Sequence, residues 1–405
     1  MSETPDLSSD AAGFSRALRL VFALSLGAAI SLGITRFAYG LLLPPMRADL
    51  HWSYTLAGAM NTFNALGYLL GALSTPALMA RLGAARLLLA GAVAASVFMA
   101  GSGFFTGAAP LLAQRLLAGV ASAWIFIAGG LLAARLGAAH PSRAGLLLGL
   151  YYGGTGVGIV LSALLVPALL EGARDRPHGW AWAWWALAAA CAVATLALRW
   201  PARVLGAQEG GGTAARMPLS AVPLARLAPA LAGYLLFGVG YIGYMTFVIA
   251  LLREQGAGTV RVTVFYALLG LAVIASSRIW AGLLDASRGG RALATLNGLL
   301  GVATVVPAVT TAWPLLLASG VMFGGIFLSV VASTTALVRH NLPPALWAAG
   351  ISAFTIVFAA GQIAGPTVVG LIADGPGGLA RGLAFSAAAL WLGAVVASRQ
   401  RPLQK

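Results

Sequence analysis

Long apolar runs, each about the length of a helix that crosses a bilayer, recur along the whole of this 405-residue chain. A transmembrane helix needs roughly 20 apolar residues to span about 30 Å of hydrocarbon. Runs of that kind lie near 18–43, 54–79, 87–105, 109–134, 144–170, 180–199, 226–252, 260–284, 292–312, 314–338, 345–373 and 379–398. Hydrophobic residues make up 60% of the chain and charged residues 9%, with mean hydropathy +0.90. A soluble domain is about a quarter charged, so a water-soluble enzyme is excluded. A disordered chain is excluded as well, because so apolar a sequence cannot stay solvated. The expected fold is an all-α polytopic membrane protein of twelve transmembrane helices.

The only long interruption, 200–225, contains WPARVLGAQEGGGTAARMPLS and reads as a flexible, Gly-rich linker. It divides the chain into an N-terminal tail (1–17), a six-helix bundle (18–199), the linker, a second six-helix bundle (226–398) and a C-terminal tail (399–405). Net charge is +15, which in a soluble chain would suggest nucleic acid. Here the basic residues follow the positive-inside rule instead. With a cytoplasmic N-terminus, sixteen of the 25 basic residues fall in inside segments and six outside (Arg47, Arg174, Arg176, Arg253, Arg261 and Arg381). Both termini are therefore expected in the cytoplasm, with the lipid bilayer and not nucleic acid as partner. The N-terminal MSETPDLSSD is acidic and reads as no cleavable signal, so the first run is expected to remain as a span. A single cysteine, Cys191, permits no intrachain disulfide and no Cys-based metal site. No metal or other cofactor is expected.

The two halves resemble each other. The first span carries Gly33, Arg36 and Tyr39, and the seventh carries Gly238, Tyr241 and Tyr244 at the same spacing. RLGAAR (81–86) follows the second span and SRGGR (287–291) the eighth. Repeated bundles around a central site suit a transporter, because they can rock and expose the site to each side in turn.

RIWAGLLDASRGGR (278–291) resembles the loop signature of the major facilitator superfamily, with Gly282, Leu284, Asp285, Arg288 and Arg291 as the counterparts and a spacing after the Asp one residue longer than the commonest form. The first-half copy keeps Arg81, Gly83 and Arg86 but has no acid where the Asp belongs. Arg115-x-x-x-Gly119, GLYYGGTGVG (149–158) and GQIAGPTVVG (361–370) are similar to motifs of the superfamily's fourth, fifth and eleventh helices. GITRFAYGLLLPPMRADL (33–50) and GYMTFVIALL in the seventh span look like the YbfB/YjiJ-like branch, and the resemblance covers essentially the whole chain. It implies a multi-pass protein of a bacterial inner (plasma) membrane, working as a monomer. Arg278, seven residues before Asp285, resembles the eighth-helix Arg with which monocarboxylate and oxalate carriers contact the substrate carboxylate.

Three arginines, Arg36, Arg115 and Arg278, fall inside apolar runs. An ionised side chain at mid-bilayer costs about 2.5–3.5 kcal/mol on insertion scales, so packing alone does not account for them. At 1.5 Å per residue, Arg36 and Arg115 lie roughly 10 Å below the outer ends of their spans, and Arg278 roughly 10 Å above the inner end of its own. All ten acids sit in tails, loops or span ends, and the four histidines sit in connections. A cationic site with no internal counter-ion is completed by an anionic small-molecule substrate through bidentate Arg–carboxylate contacts. Main-chain carbonyls are the competing partners. Tyr39, Tyr241 and Tyr244 either line the path beside Arg36 or pack in the core. Asn61, Asn64, Asn297 and Gln362 are polar groups within spans that can bridge helices. The glycine motifs at 149–158 and 361–365 suit close helix packing. Asp285, Arg288 and Arg291, with Arg81 and Arg86, form either a conformation-dependent gate of ion pairs or plain topology signals. Trp180, Trp182, Trp184 and Trp185 read as an interfacial belt.

The favoured function is a secondary active or facilitative transporter of a small organic anion, moving it by alternating access. The alternative is an exporter of apolar or anionic compounds on the same fold. A pump for cationic drugs would need a buried acid. A membrane-embedded enzyme would need convergent His, acid or Cys groups, and these are scattered, so no enzymatic activity is expected.

Overall fold

Twelve helical spans form two pseudo-symmetric six-helix bundles in the computed structural model, which describes residues 7–207 and 221–403. The first span is broken into α1 (Leu7–Ala28), a π-helical stretch at Ala29–Ile34, a turn over 35–38, and α2 (Tyr39–Leu50). Then come α3 (Tyr54–Leu82), α4 (Ala84–Ser102), α5 (Ala108–Ala138), α6 (Ala144–Gly172) and α7 (Trp180–Gly206). The second bundle holds α8 (Leu224–Glu254), α9 (Thr259–Ile279), the short α10 (Ala281–Ala286), α11 (Arg291–Val309), α12 (Trp313–Asn341), α13 (Trp347–Ala373) and α14 (Gly378–Ser398). An even number of spans puts both chain ends on one side, called here the terminal side; the other is the far side.

Helices outrun the apolar stretches that announce them, because a helix does not have to stop where the headgroups begin. The expected N-terminal tail is helical from Leu7, with residues 1–6 outside the described part. The linker loses both ends to helix, since α7 continues to Gly206 and α8 starts at Leu224; its centre, 208–220, lies outside the described residues. The C-terminal tail is docked as far as Leu403, and residues 404–405 lie outside the described part. Gln400 accepts from the Ala230 N–H (3.3 Å) and donates to the Arg226 carbonyl (3.1 Å), while the Leu403 N–H donates to Asn341 (2.6 Å).

Small residues set the packing. In hydrocarbon, association rests on close backbone approach more than on apolar burial. Gly67 meets the Leu116 backbone and Gly119 the Asn64 carbonyl, joining α3 to α5; Gly324 meets the Leu269 backbone, joining α12 to α9. Gly33 lies on Gly158, and Gly238 lies on Gly361. The equivalent glycines thus make equivalent contacts in both bundles. Leu73, Val193, Leu196, Leu371, Leu392 and Val395 remain exposed as a lipid-facing belt.

The bundles meet through α2–α8, α3–α13 and α6–α9. Gly40 abuts the Met245 carbonyl, Gly58 abuts Pro366, Gly370 abuts Tyr54, and Gly156 abuts Gly270. The tryptophan run is only partly an interfacial belt. Trp182 is exposed, whereas Trp180 and Trp184 share an inward face and are buried. Their ring N–H groups donate to Asp49 (2.5 Å) and to the Met46 sulfur (3.4 Å).

Candidate functional site

The break in the first span is the local feature from which the site is built. Thr35 N–H reaches the Ile30 carbonyl and Phe37 N–H the Leu32 carbonyl, both at 3.0 Å, so the helix widens by one residue per turn before it turns at 35–38. Thr35 supports the distortion by donating its hydroxyl to the same Ile30 carbonyl (2.6 Å). Widened turns of this kind mark functional positions in many helices. The Thr35 carbonyl accepts from Arg115 Nη1 (2.6 Å), and the Phe37 carbonyl accepts from the Tyr266 hydroxyl of the other bundle (2.7 Å).

Arg115, on α5, is buried and satisfied by the protein. Nη2 donates to Asn61 Oδ1 (2.7 Å), Nε to the Met60 carbonyl (3.4 Å) and Nη1 to Thr35. Its guanidinium also lies over the rings of Tyr39 (5.0 Å) and Trp184 (5.9 Å). Asn61 passes the connection on, donating to the Thr246 hydroxyl on α8 (2.8 Å). Asn64 holds the Arg115 carbonyl (3.1 Å), and Asn297 holds that of Gly233 (3.1 Å), so both bridge helices.

Arg36, inside the turn, is equally buried but poorly satisfied. Nη2 donates to Gln362 Oε1 on α13, in the other bundle, and Nε is buried with no partner. The Tyr68 ring lies 5.8 Å from the guanidinium carbon. No carboxylate bonds to it among the described residues. The side chain is a buried cation at the bundle interface with one neutral acceptor.

The three candidate tyrosines separate. Tyr39 donates to the Ala57 carbonyl (2.8 Å), under Arg115, and Tyr244 shares a hydrogen bond with Ser319 (2.8 Å) while stacking on Phe323. Tyr241 belongs instead to a set of near-parallel rings with Phe237 (19°), Phe358 (20°) and Phe327 (9°). Tyr234 extends the stack on Phe237.

Arg278 is not brought to this site. The eighth span ends at Ile279 and not near 284, which leaves Arg278 exposed in the last turn of α9. Trp280 donates to the Gly325 carbonyl (2.7 Å) just where α9 stops. The apolar Leu283–Leu284 beyond it belongs to α10, and its apolar character disguised the end of the span. On the same side, Asp285, Arg288, Arg291, Arg81 and Arg86 are all exposed. The ion pairs among the described residues, Arg174–Glu171 and His178–Asp49, involve none of them.

A polar latch on the far side was not legible in the sequence. Asp374, after α13, accepts from the N–H groups of Tyr54 (2.6 Å) and Thr55 (2.8 Å) and from the Thr55 hydroxyl (2.6 Å), so it caps the start of α3 from the opposite bundle. The Tyr54 hydroxyl donates to Glu254 on α8, and Arg47 lies 3.7 Å from the centre of the Tyr54 ring. Deeper, Thr62 bonds Thr367 (2.8 Å) and the Ile363 carbonyl (2.7 Å). These bonds join positions 200 to 320 residues apart, a pairing that no spacing in the sequence announces. Among the described residues, the hydrogen bonds between the bundles run from the Arg36 layer outward and hold the far side closed.

A family model described as an uncharacterised MFS-type transporter, YbfB, matches residues 28–398. No curated protein matches the chain. Among solved structures, a crystal structure of a point mutant of the nucleoside transporter NupG is similar, with TM-score 0.71 and 14% identity over 94% of this chain and 98% of that one. At that identity the likeness carries the fold alone.

Proposed function

The chain belongs to the YbfB family of major facilitator superfamily transporters, and from that premise we propose that it moves a small organic anion of carboxylate type by alternating access, with Arg36 as the residue that receives the anion. Membership makes it a multi-pass membrane transporter of a small molecule and not an enzyme. The observation that carries the substrate class is the buried Arg36 guanidinium, whose Nε has no partner and whose Nη2 meets only a neutral amide. An uncompensated buried charge is expensive, and a carboxylate presents two oxygens that match one guanidinium edge.

In this reading Arg115 positions the site. It fixes the turn that bears Arg36 by holding the Thr35 carbonyl. Tyr241 and the rings stacked on it form the apolar wall. Arg278 stands at the terminal-side end of α9, where it meets an anion early or late on its path. With the terminal side cytoplasmic, the side held closed by these bonds is the outer one, and the protein is read as a monomer of a bacterial inner membrane. The exposed Asp285, Arg288, Arg291, Arg81 and Arg86 are read as gate residues at the cytoplasmic ends of the bundles.

The test is uptake into proteoliposomes of labelled monocarboxylates, dicarboxylates and aromatic acids. Arg36→Ala abolishes uptake while leaving expression intact, and Arg36→Lys retains little, because a point charge lacks the planar fork. Full uptake by Arg36→Ala would remove the residue from the site. The stacked rings of Tyr234, Phe237, Tyr241 and Phe358 favour a second reading, export of planar apolar or anionic compounds. Efflux of such compounds that survives Arg36→Ala would select it.

A further inference from the structure

Arg36 offers Nε and Nη2 along one edge of its guanidinium. That edge suits the two oxygens of a carboxylate, whereas a carboxamide has a single acceptor oxygen. Gln362 takes Nη2 and leaves Nε buried and unpaired. Gln362 is itself buried, on α13, while Arg36 belongs to the first span. Their bond is therefore a tie between bundles as well as a half-filled anion site.

We propose that Gln362 is a stand-in for the substrate carboxylate, tying the bundles together while the carrier is empty and being displaced from Arg36 when the substrate binds. This rests on the carboxylate reading above and adds its coupling to motion. A carboxylate that occupies both Nε and Nη2 leaves Gln362 without its donor, and the closure on the far side loses one of its inter-bundle bonds. The loaded carrier then opens to the far side more readily than the empty one. Exchange of one anion for another accordingly outpaces net flux, and Gln362 sets the ratio.

Spin labels at Thr106→Cys and Thr311→Cys, in the far-side α4–α5 and α11–α12 connections of opposite bundles, report the opening; both positions are exposed, and buried Cys191 is replaced by Ala. In ligand-free protein, Gln362→Leu raises the open fraction about tenfold, the scale of losing one hydrogen bond to a charged group. Gln362→Met, of similar length, does the same if the Leu variant folds poorly. Acetate, lactate, oxalate and benzoate serve as probes; the one that fits opens the wild type, and it adds little to Gln362→Leu. Gln362→Glu supplies a permanent carboxylate and abolishes the response to every probe. In liposomes, Gln362→Leu brings net uptake of the fitting probe up to the rate of exchange. If a probe raises the wild-type melting temperature but Gln362→Leu leaves the distances unchanged, the tie is refuted and the carboxylate reading stands. If Gln362→Leu opens the far side and no probe binds, the tie stands and both the stand-in role and the carboxylate reading fall.

Discussion

Arg36 and Arg115 are the same residue type at the same fractional exposure of 2%, yet they stand in opposite states. Arg115 is saturated by Thr35, Met60 and Asn61, so its loss leaves buried acceptors unpaired, each costing about 1–3 kcal/mol. Arg36 holds a charge that the protein hardly compensates, and removing such a charge relieves strain on the fold. Arg115→Met is therefore expected to lower the melting temperature in detergent by several degrees, whereas Arg36→Met leaves it unchanged or raises it. A large drop for Arg36→Met would show that its role is structural. Sequence alone puts both arginines at similar depth and sets them apart only by the motif that Arg115 shares with Gly119. The distinction depends on the Thr35 carbonyl released by the π-helical turn and on Asn61 arriving from another helix. Arg278 was misplaced for a different reason, since hydropathy reads IWAGLL as continuing a span that has already ended at Ile279.

At the scale of the element, existence was legible and termini were not. The twelve spans follow from apolar length, but the start of α3 is defined by a cap that its own bundle only half provides. Ser53 accepts from the Leu56 N–H (3.1 Å), and Asp374 supplies the remainder from across the interface. Burial works against the ionised form of Asp374, but the Thr55 hydroxyl, the Thr55 and Tyr54 N–H groups and the nearby Arg47 outweigh it and hold its pKa below the ordinary 3.8. A carboxylate with a lowered pKa stabilises the closed arrangement fully above its ordinary value, and that contribution is lost as pH falls through the lowered one. Far-side distances measured by spin labels should thus stay constant from about pH 8 down to about pH 5 and lengthen only in stronger acid. Asp374→Asn keeps the shape, loses the charge, and should open the far side at neutral pH. An opening midpoint near pH 6 in the wild type would assign the closure to another group.

Across the whole molecule, the repeated glycine contacts pack the helices of each bundle closely, and this symmetry is visible in sequence as matched spacings in the first and seventh spans. Which side is shut is not, because the same spans must serve both states. The interface answers it through bonds that join α3 to α13, chief among them Thr62 to Thr367 at 2.8 Å. Alternating access requires these helices to part on the far side in every cycle. Two hydroxyls in hydrogen-bond contact place their Cβ atoms within reach of the disulfide geometry. Thr62→Cys paired with Thr367→Cys, oxidised in the liposome, should therefore freeze the far side shut and stop uptake of the transported solute, with recovery on reduction. Each single substitution should transport under both conditions, which separates the lock from damage to the site. Uptake that continues through the oxidised pair, with cross-linking verified by mass spectrometry, would mean that α3 and α13 do not separate and that solute passes by another route.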